Sequence, residues 1–508
     1  MGSVELLTRP AVAIREQPFR RAVGLYLSLY DDEIDERAEA FWAASDQFML
    51  EPAWQNLELT DAAILVDTEG GEVRVARGGA CTFPLYWRGD DSRLRFSTVL
   101  PLASDETFSG AGLLASAAAA CVHSSYEPNT FTNTPLANWR RIRRAAVQLF
   151  CSGKPTSERI IGDLADHYSM PSSREAIANS VRGALDAYGH SQRRVKSSVL
   201  ELSGGFDSTL AAAAISPRHA MRGISVVFPY YEFRFEAAIQ RAVATALDIP
   251  RFELDGTDLF PYTPSQAVVR FDEPTVFVTG IRHAESVARF AAEVGATRVY
   301  TGHGGDQCFA TNLIAREELV ASPLTRGPFM PRTWRTLKIA METIRNSSWM
   351  ERRLGTFVND ARQDVWAKES YGVTIRTPFS DLPMFRSAMA WSLWCNARGI
   401  RPDKTILATA TSGLLPKAVL ERKGKVAYDG VWTRAYRVQA DHIAEVFEST
   451  NEVLTHLGVS PAWLIRRVRD LARWRSKSDR EVLAMYAIST WLMNWGIKRA
   501  KDVEWSSG

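Results

Sequence analysis

From about residue 11 to residue 100, apolar and polar side chains alternate in short runs that are separated by turn residues. This period of two places every second side chain on one face of a strand, so it predicts an antiparallel sheet. The clearest runs are Ala62–Asp67, Glu72–Ala76, Leu85–Trp87 and Leu94–Thr98. The last two are separated by Gly89-Asp90-Asp91-Ser92, whose small polar residues suit a hairpin turn. The pattern predicts a β-rich first domain.

From Ser173 onward, helical periods of three and four alternate with short apolar runs rich in β-branched residues. Ser173-Arg174-Glu175 opens an amphipathic helix that we expect to continue to about Tyr188. After it, strands and helices are predicted to alternate over Val199–Leu202, Ser208–Ile215, Gly223–Phe228, Arg234–Leu247, Phe252–Leu254, Ile281–Val294 and Arg298–Thr301. This spacing indicates βαβ units and a parallel sheet covered by helices on both faces. Beyond Phe309 the pattern is mostly helical and rich in Trp and Arg.

Length and composition narrow the class of protein. A chain of 508 residues is too long for one hydrophobic core, so we expect two domains, placed at residues 1–168 and 169–508. The net charge of +3 is too small to favour nucleic acid or a membrane surface as a partner. Five cysteines, odd in number and never in a Cys-x-x-Cys pair, indicate neither a disulfide framework nor a zinc site. The N-terminus lacks the apolar run of a signal peptide, and a cytoplasmic protein is expected.

A Ser-Gly-Gly-x-Asp-Ser-Thr string, Ser203–Thr209, lies where a buried strand turns into a helix. Ligands bind at such junctions in open parallel sheets. The two glycines let the backbone approach a phosphate, and the helix N-terminus and three hydroxyl groups offer donors. Asp207 predicts Mg²⁺, because a carboxylate beside phosphates needs a divalent cation between them. The alternative is a plain Gly-Gly turn with Ser and Asp as helix caps. The sequence contains no Gly-x-x-x-x-Gly-Lys-Ser/Thr loop, so γ-phosphoryl transfer is not supported.

A second glycine-rich turn, Tyr300–Gln307, also follows an apolar strand. The next position in a doubly wound sheet would bring this turn beside the first loop. Asp306 would then supply a second carboxylate to the metal. His303 would act as a base towards an incoming amine or as a hydrogen-bond donor to phosphate, and the alternative is a capping histidine with a structural role.

A third segment, Glu421–Gly430, is basic and contains a glycine hinge. A run of charges is usually a solvated face of a protein. The alternative is a loop that folds over the site and brings a lysine to a pyrophosphate leaving group, where it would stabilise charge that develops in the transition state.

Four strings together resemble the asparagine synthetases and their relatives: Ser203–Thr209, Thr301–Asp306, Arg376–Asp381 and the Lys425 segment. That family pairs an N-terminal glutaminase-type (Ntn) sandwich with a C-terminal synthetase domain, and the resemblance covers nearly the whole chain in that order. It implies an α/β protein in which a degenerate glutaminase-like β-sandwich precedes a pyrophosphate-loop domain. The second domain would be a doubly wound parallel sheet, similar to adenine nucleotide alpha hydrolases, with a helical C-terminal part.

The resemblance also implies ATP and Mg²⁺ as cofactors, with the metal shared by Asp207 and Asp306. Lys425 matches the lysine that relatives use in the adenylate-forming and adenylate-consuming steps, and Lys423 is the competing choice. His303 is the third catalytic candidate. The residues that the resemblance places around the nucleotide are Leu202, Ser203, Gly204, Gly205, Asp207, Ser208, Thr209, Val227 and Gly302.

Departures from the family pattern bear on the reaction. A glutaminase of this family needs a cysteine directly after Met1, where its thiol and α-amine form nucleophile and base. Here Gly2 and Ser3 occupy the start and the earliest cysteine is Cys81, so glutamine hydrolysis is not expected. His303 replaces the Glu of asparagine synthetases and the Tyr of β-lactam synthetases, which suggests a different amine nucleophile.

Two branches of the family use an amine already present in the substrate: β-lactam synthetases and lasso peptide cyclases. The Gly-His-Gly-Gly-Asp-Gln turn and the Lys-x-x-Tyr-Asp pattern at Lys425–Asp429 are more similar to lasso peptide cyclases. This resemblance implies an AMP- and pyrophosphate-forming ligase that joins an Asp or Glu side chain of a precursor peptide to the peptide's N-terminal amine. A leader-binding protein and a leader peptidase would be its partners. The alternative is a β-lactam-type or other amide ligase that acts on a small molecule.

Overall fold

The structure is a computed structural model that describes the residues in the following ranges. These residues are 3–19, 21–28, 34–44, 61–79, 81, 83–89, 93–100, 106–122, 132–160, 173–215, 221–229, 234–267, 269–310, 326–346, 361–420, 429–474 and 479–505. The predicted division between residues 168 and 169 lies outside them.

The strands are β1 (Ser3–Leu7), β2 (Ala13–Pro18), β3 (Ala22–Ser28), β4 (Ala62–Asp67), β5 (Glu72–Arg77), β6 (Tyr86–Gly89), β7 (Arg93–Ser97), β8 (Thr107–Phe108), β9 (Arg140–Arg141), β10 (Ala146–Cys151), β11 (Lys154–Ile160), β12 (Ser198–Glu201), β13 (Met221–Val227), β14 (Arg251–Asp255), β15 (Arg298–Tyr300), β16 (Thr374–Arg376) and β17 (Glu504–Trp505).

The α-helices are α1 (Ile34–Ala44), α2 (Gly110–Val122), α3 (Arg174–Ser191), α4 (Phe206–Ile215), α5 (Arg234–Ala246), α6 (Ile281–Glu293), α7 (Gly305–Phe309), α8 (Pro331–Asn346), α9 (Ala361–Tyr371), α10 (Leu382–Asn396), α11 (Thr405–Ala410), α12 (Lys417–Leu420), α13 (Asp429–Ser449), α14 (Asn451–His456), α15 (Pro461–Arg473) and α16 (Arg480–Asn494). Within the described residues, no helix is both long and apolar enough to cross a membrane.

Two sheets pack face to face in the N-terminal part. One has the order β1-β7-β6-β9 and the other β11-β10-β5-β4-β3-β2. The ring of Phe150 bridges them, with its centroid 5.0 Å from that of Trp87 and 5.4 Å from that of Phe96. The four predicted runs are strands β4 to β7, which confirms the β-rich first region. The hairpin residues 90–92 lie outside the described residues, although β6 and β7 pair antiparallel as expected.

A helix lies on each outer side of this sandwich. Helix α1 covers the six-stranded sheet, where the ring of Phe41 lies 5.6 Å from that of Tyr26. Helix α2 shares a buried cluster with Tyr86 of the four-stranded sheet and also packs against α8 and α16. The layers therefore run helix, sheet, sheet, helix.

A parallel five-stranded sheet forms the centre of the C-terminal part, in the order β14-β13-β12-β15-β16. Side chains of β12 alternate between its faces, so Leu200 packs with α4 and Val199 packs with α6. The predicted alternation from α3 to β15 is confirmed. Strand β16 was not predicted, because three residues between helices carry too little periodicity to be recognised.

Most of the chain beyond Phe309 is helical in the described residues, as expected. The rings of Trp391 and Trp394 stack 5.3 Å apart, and Trp334 stacks on Phe329. These rings therefore serve helix packing. Trp349 lies outside the described residues.

Charged side chains join the two parts of the chain. Arg9 forms ion pairs with Asp272 and, at 2.9 Å, with Glu369. Arg141 pairs with Glu273, and both side chains are buried. Removing one partner of a buried pair leaves an uncompensated charge and lowers the free energy of unfolding by about 3–5 kcal/mol. Because these pairs join the two parts of the chain, they hold the sandwich against the parallel sheet.

Candidate active site

A cavity of about 930 Å³ opens at the carboxyl ends of the parallel strands. One wall consists of the loops that follow β12, β13, β15 and β16, and α9, α12 and α13 contribute to the rest. This is the ligand-binding edge of an open parallel sheet. The volume is near the upper end of the roughly 300–1,000 Å³ of small-molecule sites, so it can hold a nucleotide together with part of a second substrate.

The first loop, Ser203–Thr209, is closed by its own hydroxyl groups. The Oγ atoms of Ser203 and Ser208 lie 2.9 Å apart, and the Gly205 amide donates to Ser203 Oγ at 3.2 Å. Gly204 has a φ of +72°, which an L side chain rarely adopts, so glycine is required there. Helix α4 starts at Phe206, directly after the two glycines, and its free N-terminal amides lie in this string.

The second turn, Thr301–Asp306, packs directly on the first loop. A β-carbon added at Gly302 would come closer than 3.0 Å to the backbone of Ser208, and one at Gly305 would collide with the carboxyl group of Asp207. Only glycine allows this approach. The expectation that the two turns lie side by side is confirmed, since β15 pairs with β12.

The segment after β16 supports the second turn. Thr377 Oγ1 donates to the carbonyl oxygen of His303 at 2.6 Å, and the Thr301 amide donates to the carbonyl of Arg376 at 2.8 Å. Arg376 is buried and its guanidinium lies 3.8 Å from the carboxylate of Asp381. The Arg-Thr-Pro-Phe-Ser-Asp string therefore fixes the position of His303.

Lys404 lies between the two predicted metal-binding carboxylates. Its Nζ is 2.6 Å from Asp207 Oδ2 and 2.5 Å from Asp306 Oδ1. Burial alone would lower the pKa of Lys404, but the attraction and hydrogen bonds of the two carboxylates outweigh it and raise the pKa. The ammonium group is therefore charged and marks the point at which both carboxylates converge.

The convergence of Asp207 and Asp306 on one cation fits a magnesium ion. Mg²⁺ keeps several waters and binds through one or two carboxylates together with substrate phosphates. In the described part of the chain there is no group of three or more His, Cys, Asp or Glu residues that could hold a metal by itself. The two carboxylates thus suit a metal that arrives with a nucleotide.

The cavity brings together most of the residues predicted for the site. Those that line it are Leu202, Ser203, Gly205, Asp207, Ser208, Val227, Gly302, His303 and Asp306. Thr209 is buried, and its hydroxyl donates to the carbonyl of Gly205 at 2.8 Å, so it braces the loop from behind. Lys423 and Lys425 lie outside the described residues.

A second charged pair in the cavity wall was not predicted. His283 Nε2 and Glu201 Oε1 are 2.7 Å apart. Burial would raise the pKa of Glu201, but the hydrogen bond and charge of His283, with a smaller effect of His303, lower it. Burial would lower the pKa of His283, and the hydrogen bond and charge of Glu201 raise it. Both shifts favour the ion pair.

Comparison with known proteins gives one family match. The model of the family described as asparagine synthase matches residues 189–493. No curated protein matches the chain. Among solved structures, the U34-tRNA thiolase NcsA from Methanococcus maripaludis with its 4Fe–4S cluster is 15% identical, with a TM-score of 0.21 and coverage of 49% of this chain and 80% of that chain. A TM-score this low supports no inference about this chain.

Proposed function

The chain belongs to the asparagine synthase family, and on that premise we propose that it is a lasso peptide cyclase. It would adenylate an Asp or Glu side chain of a precursor peptide with ATP and join the acyl group to the peptide's N-terminal amine as a macrolactam. Family membership itself supports an ATP-dependent ligase-like enzyme. The peptide substrate is our proposal.

One observation supports the proposal most directly: the two carboxylate-bearing turns open on a cavity of about 930 Å³ whose wall also includes apolar side chains of the C-terminal helices. Val419, Leu420, Val431 and Trp432 lie on the cavity wall that the C-terminal helices supply. These apolar side chains suit a peptide chain. An enclosing site can also offset much of the entropy lost in closing a ring, because it holds amine and acyl group together.

ATP would bind with its phosphates over the first loop, where the N-terminal amides of α4 and the Ser203 and Ser208 hydroxyls offer donors. Asp207 and Asp306 would hold Mg²⁺, which neutralises phosphate charge when it is bound. Lys404 contacts both carboxylates and would stabilise the pyrophosphate that leaves. His303, on the adjoining turn, would donate a hydrogen bond to phosphate.

Lys425, with Lys423 as the alternative, would approach from the segment before α13. A lysine there would stabilise charge on the leaving pyrophosphate as the adenylate forms and is consumed. Its place in the sequence, four residues before the start of a helix that lines the cavity, supports this assignment.

The N-terminal sandwich would be a glutaminase-like domain without its nucleophile. Its helix, sheet, sheet, helix layering supports this origin, and Ser3 rather than a cysteine begins β1. The ion pairs of Arg9 and Arg141 suit a bracing role. We propose a cytoplasmic enzyme that receives its peptide from a separate leader-binding protein and leader peptidase.

The test is mass spectrometry of linear peptides with a free N-terminus and an Asp or Glu at a ring-closing position, incubated with the protein, ATP and Mg²⁺. A product lighter by one water, formed with AMP and abolished in Asp207→Ala, is the expected result. Asp441→Ala, on the exposed side of α13, is the matched control and should keep full activity. If no peptide changes while small amino acids drive AMP formation, the alternative small-molecule ligase takes its place.

A further inference from the structure

The pair of Glu201 and His283 lies in the cavity wall, and the proposed function gives it no role in binding ATP or Mg²⁺. Glu201 is the last residue of β12, two residues before Ser203, and His283 lies in the first turn of α6. Both side chains are about one-third exposed, and both line the cavity. They are 82 residues apart in the chain, so the fold brings them together at this edge.

The contact with Glu201 determines which ring nitrogen of His283 carries a proton. An ionised carboxylate only accepts hydrogen bonds, so Nε2 of His283 must carry the proton that points to Glu201 Oε1. In the neutral ring, Nδ1 then holds the lone pair and can accept a proton. A carboxylate that orients one ring nitrogen while the other acts as a base is the arrangement of a histidine in general-base catalysis.

We propose that His283, oriented by Glu201, is the base that accepts the proton of the attacking amine. This inference rests on the proposed ligase function. The amine nitrogen attacks the acyl carbon of the adenylate, the new C–N bond forms, and the C–O bond to AMP breaks with its electron pair leaving on the phosphate oxygen. The proton released from the nitrogen passes to Nδ1 of His283 and from there to solvent.

The attacking amine must lose a proton, and Glu201 strengthens His283 as a base. An α-amino group has an unperturbed pKa of about 7.7–8.0, so it is mostly protonated at neutral pH. Burial would lower the pKa of His283, but the hydrogen bond and charge of Glu201 outweigh it and raise this pKa, which makes the neutral ring a stronger base. A positioned general base of this kind contributes to catalysis by accepting a proton in the transition state.

The groups around His283 suit this role. Glu201 faces it from β12, and His303 on the turn after β15 acts on the same carboxylate. On α6 itself, Arg282 pairs with Glu285 at 2.9 Å, and Glu285 also accepts the Gln266 and Ala267 amides. That acid is therefore engaged away from His283, and Glu201 sets the charge of the imidazole.

The experiment separates the two half-reactions in the full-length protein. Carboxylate-dependent exchange of pyrophosphate into ATP reports adenylate formation, and mass spectrometry reports the amide, with the linear peptides and small amino acids named above as probes. His283→Asn should keep the exchange and lose amide formation by about 10²–10⁴-fold. Hydroxylamine, which is already neutral at pH 7, should still trap the acyl group in this variant. His190→Asn, on the surface at the end of α3, is the matched control and should behave as wild type.

Wild-type amide formation in His283→Asn overturns the inference, as does an equal loss of exchange and amide, which would indicate a structural or binding role. Failure of the proposed function is recognised separately, since it shows in the wild type as the absence of a dehydrated peptide.

A measurement without substrate decides the same question. Glu201→Gln keeps an acceptor for Nε2 but removes the charge, so an NMR titration should show a lower pKa for His283 in this variant than in wild type. The rate of amide formation should rise with pH as His283 loses its proton, and in Glu201→Gln this rise should occur at lower pH. An unchanged His283 pKa would refute the role of Glu201. An unchanged pH dependence of the rate would refute the role of His283.

Discussion

Replacing Gly302 by alanine should separate the two turns that form the nucleotide site. A β-carbon at this position would lie 2.2 Å from the Ser208 amide nitrogen, whereas ordinary van der Waals contact begins at 3.4 Å, a shortfall of about 1.2 Å. The neighbouring atoms are backbone and cannot rotate away. Overpacking of this kind costs about 1–3 kcal/mol of unfolding free energy.

The displacement should also weaken nucleotide binding. Ser208 lies in the first turn of α4, whose amides and hydroxyls are the donors for phosphate. Losing one charge-assisted hydrogen bond, about 1.5–3 kcal/mol, corresponds to about 10- to 100-fold weaker binding of ATP. Calorimetric titration with ATP and Mg²⁺ measures the affinity, and urea denaturation measures the unfolding free energy.

Gly183→Ala provides the control for an added methyl group. Gly183 lies within α3, and a β-carbon there meets no atom within 4 Å. We expect this variant to gain roughly 0.5–1 kcal/mol of stability and to bind ATP normally, because alanine restricts the unfolded chain more than glycine does. Wild-type ATP affinity and stability in Gly302→Ala would refute the packing of the two turns.

Three further variants test other contacts of the site. Lys404→Met leaves two carboxylates facing each other, so without Mg²⁺ the variant should melt at a lower temperature than wild type. Addition of Mg²⁺ should then raise the melting temperature of the variant more than that of wild type. Equal Mg²⁺ effects would contradict the convergence of the carboxylates. Thr377→Val removes the 2.6 Å hydrogen bond to the carbonyl of His303, and urea denaturation should show a loss of about 0.5–1.5 kcal/mol, with no loss arguing against this brace. Lys425→Ala should lower the rate of AMP formation by about 10²–10³ if it stabilises the leaving group, whereas the same loss in Lys423→Ala alone would assign that role to its neighbour.

The nucleotide site could be predicted because its parts are local in sequence. Ser203–Thr209 carries its glycines, hydroxyls and carboxylate within seven residues, and the strand before it is apolar enough to be recognised. The position of the neighbouring turn, Thr301–Asp306, could be predicted from the alternation of strands and helices, because βα units place their turns at one edge of the sheet.

Residues from distant segments could not be placed in this way. Lys404 is 197 residues from Asp207 in the chain, and no periodicity relates them. His283 is one of several polar residues on an amphipathic helix, so its sequence position does not distinguish it. Glu201 did carry an indication, because an acidic residue is unusual in a buried parallel strand such as Val199–Leu202. The pairing of β17 with β8 likewise joins two-residue strands that no pattern would reveal.

The placement of α2 has a consequence for synthesis of the protein on the ribosome. This alanine- and leucine-rich helix packs against α8 and α16, and α16 begins about 360 residues after α2 ends. At roughly 5–20 residues per second, translation of that stretch takes about 20–70 s, during which α2 lacks the cover that α16 provides. The nascent N-terminal half therefore exposes an aggregation-prone surface. A lower growth temperature and co-expression of chaperones should raise the yield of the intact chain. The N-terminal half expressed alone should be recovered mainly in the insoluble fraction.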